Sequence, residues 1–442
     1  MSYSSLHRRT LPICLTATLV GGALVLIPSA ASADGDGPGR GGGPGDGGNG
    51  REARSVIFVN GDGMGASHRE AARLAQEGYD GQLAMDSLPV AGLQTTDARD
   101  PEDAVTDSAA SASAWATGEK TYNGAISVDV DGNPLPTLGQ EAEDAGKAGG
   151  IVTTAQVTDA SPAAFFSNTV DRGLQDDIAR QYLEVTRPEV ILGGGEDWWL
   201  PAGDPGAFPD APAEDPEEGS RSEQGDLVAE AQDLGYEYVT DADGLAAAEG
   251  DRLLGLFANQ EMFQQAPEGE GDQFDPAVPL ADMTAKALDV LSQDEDGFFL
   301  LVEEEAVDEM SHNNNAPRTL EAMASLDAAV EVALDYVAEH PDTLLIVTGD
   351  HECGGLAIEN VDDTDESGPG GTLEPVEGET ESGEDGPFDI VDSNLQFVLD
   401  WTTTGHTGEP TPVTAQGPGS EQLTGIYPNT RLHEVMQEVV LG

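Results

Sequence analysis

Basic residues are scarce in this chain. Only 18 Lys and Arg, three of them lysine, stand against 84 Asp and Glu, for a formal net charge of -66. A surface so negative excludes nucleic acid as a partner, because affinity for phosphate backbones comes from lysine and arginine displacing counterions. Self-repulsion on this scale opposes a compact state, and high salt relieves it by shortening the screening length. The balance points to a halophilic environment; disordered acidic inserts in a moderately acidic protein are the other reading. Cysteine is nearly missing too, with Cys14 and Cys353 the only two. Cys14 falls in the N-terminal leader described next, so one thiol would remain. A single thiol excludes an internal disulfide and leaves stability to the core and to bound metal. Beyond Ala33 no apolar run is long enough for a helix to span a bilayer.

What is present begins with an address. Arg8 and Arg9 precede an apolar stretch over residues 11–27, and Ala31-Ser32-Ala33 follows. That is the order of a secretory signal and its cleavage site, so residues 1–33 are expected to be removed on export. The paired arginines are compatible with a twin-arginine route as well as the general one. A secreted, periplasmic or cell-surface product is the expectation. Residues 34–53 are mostly Gly, Pro and Asp with almost nothing to bury, and read as a flexible linker. The remainder can hold one large α/β domain or two smaller ones, and an apolar fraction of 38% supplies a sizeable core.

Within residues 54–442, short apolar runs alternate with helical patterns. Strands are expected at 55–60, 149–154, 190–192, 297–302 and 343–348, and helices at 67–77, 175–184, 281–291 and 317–339. That alternation implies a three-layer α/β sandwich, a central and mostly parallel sheet flanked by helices. Stretches near 201–222 and 362–386, rich in Gly, Pro, Asp and Glu, break the rhythm and read as solvated acidic insertions. The second has room for a small accessory subdomain.

Three of the apolar runs end on chemistry: one before Asp62, one before Glu303 and one before Asp350-His351. In open α/β sheets ligands bind beyond the carboxyl ends of the strands, where residues remote in sequence meet. If a helix starts near Ala306, Asp308 and His312 are four apart on one face and can share a cation. Asp62 lies in Asn60-Gly61-Asp62-Gly63-Met64-Gly65, whose glycines allow close backbone approach. Mixed oxygen and imidazole donors suit Zn²⁺, and all-oxygen positions suit Mg²⁺. Thr106-Asp107-Ser108-Ala109-Ala110-Ser111-Ala112 supplies a serine at a prospective helix N-terminus, where backbone N–H groups favour an anion. That serine is a candidate nucleophile if zinc lowers its pKa. The alternative is that Asp107 or Ser108 is a plain N-cap, and on this segment alone the cap is the preferred reading. The run Asp129-Val130-Asp131-Gly132-Asn133 lacks the rest of a calcium loop and reads as a hairpin turn.

Taken in order along the chain, these segments resemble the alkaline phosphatases of the metal-dependent superfamily. The resemblance is carried by Gly61-Asp62-Gly63-Met64-Gly65, the Thr106–Ala112 run, Val157-Thr158-Asp159-Ala160-Ser161-Pro162-Ala163-Ala164, Val302-Glu303 with Asp308 and His312, Thr348-Gly349-Asp350-His351 and Thr404-Gly405-His406-Thr407-Gly408. It implies that residues 54–442 form one catalytic domain hydrolysing phosphate monoesters through a phosphoserine on Ser108. By that resemblance Asp62, Asp350 and His351 hold the zinc that activates Ser108, while Asp308, His312 and His406 hold a second zinc about 4 Å away. Ser161 and Glu303, with Asp62 bridging and Asp159 acting through water, would hold one Mg²⁺. Arg172 would clamp two phosphate oxygens, a task its planar fork fits, and Asp107 and Ser108 would be the other substrate-binding residues. Members are commonly homodimers, so a homodimer is implied, although no stretch of sequence marks an interface.

Two residues depart from the pattern. Ser161 stands where many members have threonine, and Glu309 where they often carry lysine or histidine. Other classes stay open on sequence alone. Enzymes of this architecture also cleave phosphodiesters, phosphonates or sulfate esters, and an exported acidic protein can serve as a cation-binding surface component with no role for Ser108 or Arg172.

Overall fold

Val56, Ile57, Phe58 and Val59 are all fully buried in a strand, β1 (Ser55–Gly61). An unbroken apolar run of this kind is what a strand covered on both faces needs. In the computed structural model, which describes residues 55–208, 219–263, 274–361 and 384–442, β1 sits in the middle of a ten-stranded sheet. The expected signal and linker, residues 1–53, lie outside the described residues.

The other strands of the chain are β2 (Val90–Thr95), β3 (Ala148–Gln156), β4 (Val190–Gly194), β5 (Glu237–Val239), β6 (Leu253–Leu256), β7 (Phe298–Glu304), β8 (Thr343–Thr348), β9 (Glu352–Cys353), β10 (Leu356–Asn360), β11 (Glu384–Asp389), β12 (Gln396–Trp401), β13 (His406–Thr407), β14 (Thr411–Gln416) and β15 (Gly425–Pro428). The large sheet runs β15-β2-β14-β8-β1-β7-β3-β4-β6-β5. Every pairing in it is parallel except the two made by β14, so β14 alone runs against the rest.

Alternation along β1 divides the core into two layers. Val56 and Phe58 pack with Trp115, Phe165 and Met436 under the helices Ser108–Thr117, Ala160–Phe166 and Thr430–Leu441. Ile57 and Val59 pack with Met283, Leu326 and Val330 under the helices Leu280–Leu291 and Ala316–Glu339. Each such side chain contributes about 1.5–3 kcal/mol by leaving water. The expected three-layer α/β sandwich is therefore the observed one.

The strands read from sequence all form, with ends moved by one or two residues. The expected helix at 175–184 stops at Gln181 and continues as a π turn, Tyr182–Thr186. Val185 and Thr186 are β-branched and Pro188 follows, which ends the regular helix. Strands β2, β5, β6, β14 and β15 carry no long apolar run and were not expected. Of the insertion at 362–386, the last residues belong to β11, a correction; residues 362–383 lie outside the description, as do 209–218 of the first insertion. Strand β11 joins β12 and β10 in a small antiparallel sheet, and Leu356, Phe397, Leu399 and Trp401 pack it onto Ala71 and Leu74 of the helix Ala66–Gln76. The accessory subdomain thus lies between Asp350-His351 and His406. Asp129–Asn133 forms the expected turn, closed by Asp129 N–H donating to the Asn133 carbonyl at 2.8 Å. Among the described residues no helix is long and apolar enough to cross a membrane.

Candidate metal centre

Register across four neighbouring strands builds the floor of the site. Thr348, Asn60, Glu303 and Thr153 stand side by side at the carboxyl ends of β8, β1, β7 and β3. Asn60 Nδ2 donates to Glu303 Oε1 at 3.1 Å and to Ser161 Oγ at 3.3 Å, and Thr153 Oγ1 donates to the other Glu303 oxygen at 2.8 Å. Asp62 follows β1, Asp350 and His351 follow β8, and Asp308 and His312 lie on the short helix Ala306–His312 that follows β7. His406 arrives from β13, which pairs with β9. Gly63 makes the convergence feasible. Its φ is +69°, and a Cβ there would come within 2.5 Å of Asp308 Oδ1.

The imidazoles and carboxylates form one continuous group. Asp308 Oδ2 lies 3.1 Å from His312 Nε2 and 3.5 Å from His406 Nε2, and the two Nε2 atoms are 3.0 Å apart. His312 Nδ1–H donates to the Thr404 carbonyl and His406 Nδ1–H to the Thr106 carbonyl, which turns both Nε2 atoms toward the Asp308 carboxylate. His351 Nε2 is 3.1 Å from Asp350 Oδ2, 3.6 Å from Asp62 Oδ1 and 3.2 Å from Ser108 Oγ.

Ser108 is the first residue of the helix Ser108–Thr117, and the Asp107 carboxylate caps that helix by accepting from Ala110 N–H at 2.9 Å. Asp107 is thus the N-cap, and Ser108 Oγ faces His351. Asp107 also accepts from Gly124 N–H, and its Oδ2 lies 3.5 Å from Arg172 Nη1. Arg172 Nη2 donates to both Asp159 oxygens, at 2.9 and 3.0 Å. Burial opposes the Arg172 charge, but Asp159 and Asp107 outweigh it and raise the guanidinium above its usual value. Every site residue expected from the sequence therefore lies in this one neighbourhood.

Electrostatics shows what the group lacks. Burial, and then the Asp350 charge, holds the Asp62 carboxyl well above the usual range. Burial and Asp308 push Asp350 up to about 6. Burial pushes Glu303 up to about 7 against the hydrogen bonds from Thr153 and Ser161. Asp308 goes the other way: burial works against its charge, but His406 and the hydrogen bond from His312 hold it well below the usual range. Asp62 Oδ1, Asp308 Oδ1, Asp350 Oδ2 and His351 Nδ1 are buried with no hydrogen-bond partner. Each such atom costs about 1–3 kcal/mol, and more when charged. Divalent cations would satisfy the three carboxylate oxygens at once. Asp62, Asp308 and His351 form one set of donors within 4.8 Å of one another, and Asp308, His312, Cys353 and His406 form a second. The residues present fit bound metal.

Sequence reasoning missed Asn60, Thr153, Glu305 and Cys353. Asn60 and Cys353 each stand two residues from an expected ligand, and that nearness in sequence is a usable signal. Thr153 carries none, since threonine is ordinary in strands. Glu305 is buried and its carboxyl is pushed well above the usual range by burial and by Asp159. Glu309, beside Asp308, adds to that repulsion on Glu305. His340 and His433, assigned no chemistry, lie apart: His340 stacks on Tyr336, and His433 Nδ1 pairs with the Trp115 carbonyl.

Comparison with known proteins gives concordant results. A family model described as alkaline phosphatase matches residues 53–365. Streptomycin-6-phosphate phosphatase of Streptomyces griseus is 36% identical over 426 residues, covering 86% of this chain and 89% of the relative. Alkaline phosphatase 3 of Bacillus subtilis is 30% identical over 431 residues, with 86% and 87% covered. Among solved structures, the alkaline phosphatase of the Antarctic bacterium TAB5 superposes with a TM-score of 0.69 at 26% identity, covering 88% of this chain and 99% of that one. A variant of that enzyme has magnesium bound in its M3 site.

Proposed function

The chain belongs to the alkaline phosphatase family and hydrolyses phosphate monoesters, and from that premise we propose that it is an exported enzyme working through a phosphoserine on Ser108 at a site for two zinc ions and one magnesium. The observation that carries the reading is the Ser108 hydroxyl at a helix N-terminus, 3.2 Å from His351 Nε2 and beside the unpartnered oxygens of Asp62 and Asp350. Asp62, Asp350 and His351 would hold one zinc; Asp308, His312 and His406 would hold the other. Ser161 and Glu303, with Asp62 and the more distant Asp159, would hold magnesium through oxygen alone. When bound, such cations acidify a serine hydroxyl or water and stabilise an oxygen that is leaving phosphorus.

The chain's own residues do the rest. Ser108 Oγ, its proton given to solvent, forms a bond to phosphorus as the ester oxygen departs on the opposite side and takes up a proton; water then attacks phosphorus, loses a proton, and the serine oxygen leaves and is reprotonated. Backbone N–H groups of the first turn of the Ser108–Thr117 helix face the phosphoryl oxygens. Arg172, anchored by Asp159 and Asp107 and with 33% of its side chain exposed, offers its remaining N–H groups to two of them. A local cationic cluster is needed here, because a chain of net charge -66 otherwise repels a phosphate dianion. Export is supported by the Arg8-Arg9, apolar and Ala31-Ser32-Ala33 order, and salt adaptation by the charge balance. A homodimer is part of the proposal on family resemblance alone.

The test compares the parent with Ser108→Ala on a phosphate monoester, with metal analysis of both. Two zinc per chain in both proteins, and turnover in the parent alone, is the expected result. Equal turnover removes Ser108 from the chemistry, and metal-free but active protein removes the cations.

A further inference from the structure

Cys353 has no part in the roles above. It is the only cysteine among the described residues, fully buried in β9, and its partner across the β9–β13 ladder is His406. Its backbone N–H donates to the Gly63 carbonyl at 3.0 Å, which ties it to the same loop that carries Asp62. Its Sγ, a carboxylate oxygen of Asp308 and ring nitrogens of His312 and His406 all lie within 4.8 Å of one another. Two independent observations point this group at a ligand. Asp308 Oδ2 lies 3.1 Å from His312 Nε2 and 3.5 Å from His406 Nε2, and the other oxygen of the same carboxylate, Oδ1, is buried with no hydrogen-bond partner. Both histidines spend Nδ1–H on backbone carbonyls, so their Nε2 atoms, 3.0 Å apart, turn to a common point.

We propose that Cys353 supplies a sulfur donor to the cation held by Asp308, His312 and His406, and so makes that site selective for zinc. The inference rests on the reading that a cation binds there. As the metal–sulfur bond forms, the thiol proton leaves to solvent. Three side chains and a sulfur fill a four-coordinate zinc, and expansion to five donors leaves one position for an oxygen. A thiolate is a poor ligand for magnesium and manganese and a good one for zinc, so it would set this site apart from the all-oxygen one around Glu303 and Ser161. The competing role is a small buried apolar side chain whose S–H rests against Asp308.

X-ray absorption at the zinc edge decides between them. In a Cys14→Ser chain, which leaves Cys353 as the sole thiol, zinc-loaded protein should show a sulfur shell at about 2.3 Å beside nitrogen and oxygen at about 2.0–2.1 Å. Cys353→Ser on that background should lose the shell and lose about tenfold of its preference for zinc over manganese in competition dialysis. Cobalt-loaded protein should show a thiolate charge-transfer band that the variant lacks. Bound zinc with only nitrogen and oxygen neighbours overturns the inference and leaves the phosphatase reading intact. No bound zinc at all removes the reading beneath it. If the serine variant fails to fold, the sulfur shell of the parent decides alone.

Discussion

Replacing Arg172 with alanine removes the one guanidinium set against Asp107 and Asp159 beside the serine. Its Nη2 donates to both Asp159 oxygens and its Nη1 lies 3.5 Å from Asp107 Oδ2. A hydrogen bond to a charged group is worth about 1.5–3 kcal/mol, so a two-pronged hold on phosphate comes to about 3–6 kcal/mol. The guanidinium is shared with two carboxylates and is one-third exposed, which argues for the low end, about 3 kcal/mol. That is roughly a hundredfold at 1.4 kcal/mol per tenfold. Asp159, whose charge the arginine favours against burial, would be left to repel an incoming dianion. Arg172→Ala should therefore lower kcat/KM for an aryl phosphate about a hundredfold and weaken inhibition by inorganic phosphate comparably. Arg172→Lys, which keeps the charge but loses the fork, should recover only part. A phosphate inhibition constant within about threefold of the parent, in protein with unchanged circular dichroism, would refute the reasoning.

Two further outcomes follow from the charges. Chelation should abolish turnover and make stability fall as pH rises. Burial and mutual repulsion raise Asp350 to about 6 and Glu303 to about 7 in the metal-free fold, so the folded state keeps protons that the unfolded chain has released. Their contribution is intact below the unfolded carboxyl values and is lost as pH climbs to about 7; Tm in chelator from pH 5 to 9 that stays level or rises would contradict this. Salt should raise the folded fraction steeply from low to molar concentration, given a net charge of -66, and a flat denaturation midpoint across that range would reject salt adaptation.

Much of this was legible because strand ends carry the chemistry. The apolar runs before Asp62, Glu303 and Asp350 form adjacent parallel strands, so reading where hydrophobicity stops amounted to reading where the crevice opens. The four-residue step from Asp308 to His312 became a single helical face with a 3.1 Å contact. Other features were not readable locally. Strand β14 is held by pairing with β8 and β2 rather than by its own pattern, which contains Pro412. The bridging of Ser161 to Glu303 by Asn60 spans 101 and 243 residues of chain, and nothing local announces it. Cys353 looked inert because a lone cysteine suggests only a missing disulfide; its place opposite His406 depends on β9 meeting β13.

The most direct test of the central claim is acid quenching of the metal-loaded enzyme within one turnover of a labelled phosphate monoester, followed by mapping of the label. The account predicts phosphate on Ser108 and none in Ser108→Ala. Rapid turnover with no protein-bound phosphate, or label on another residue, would contradict it.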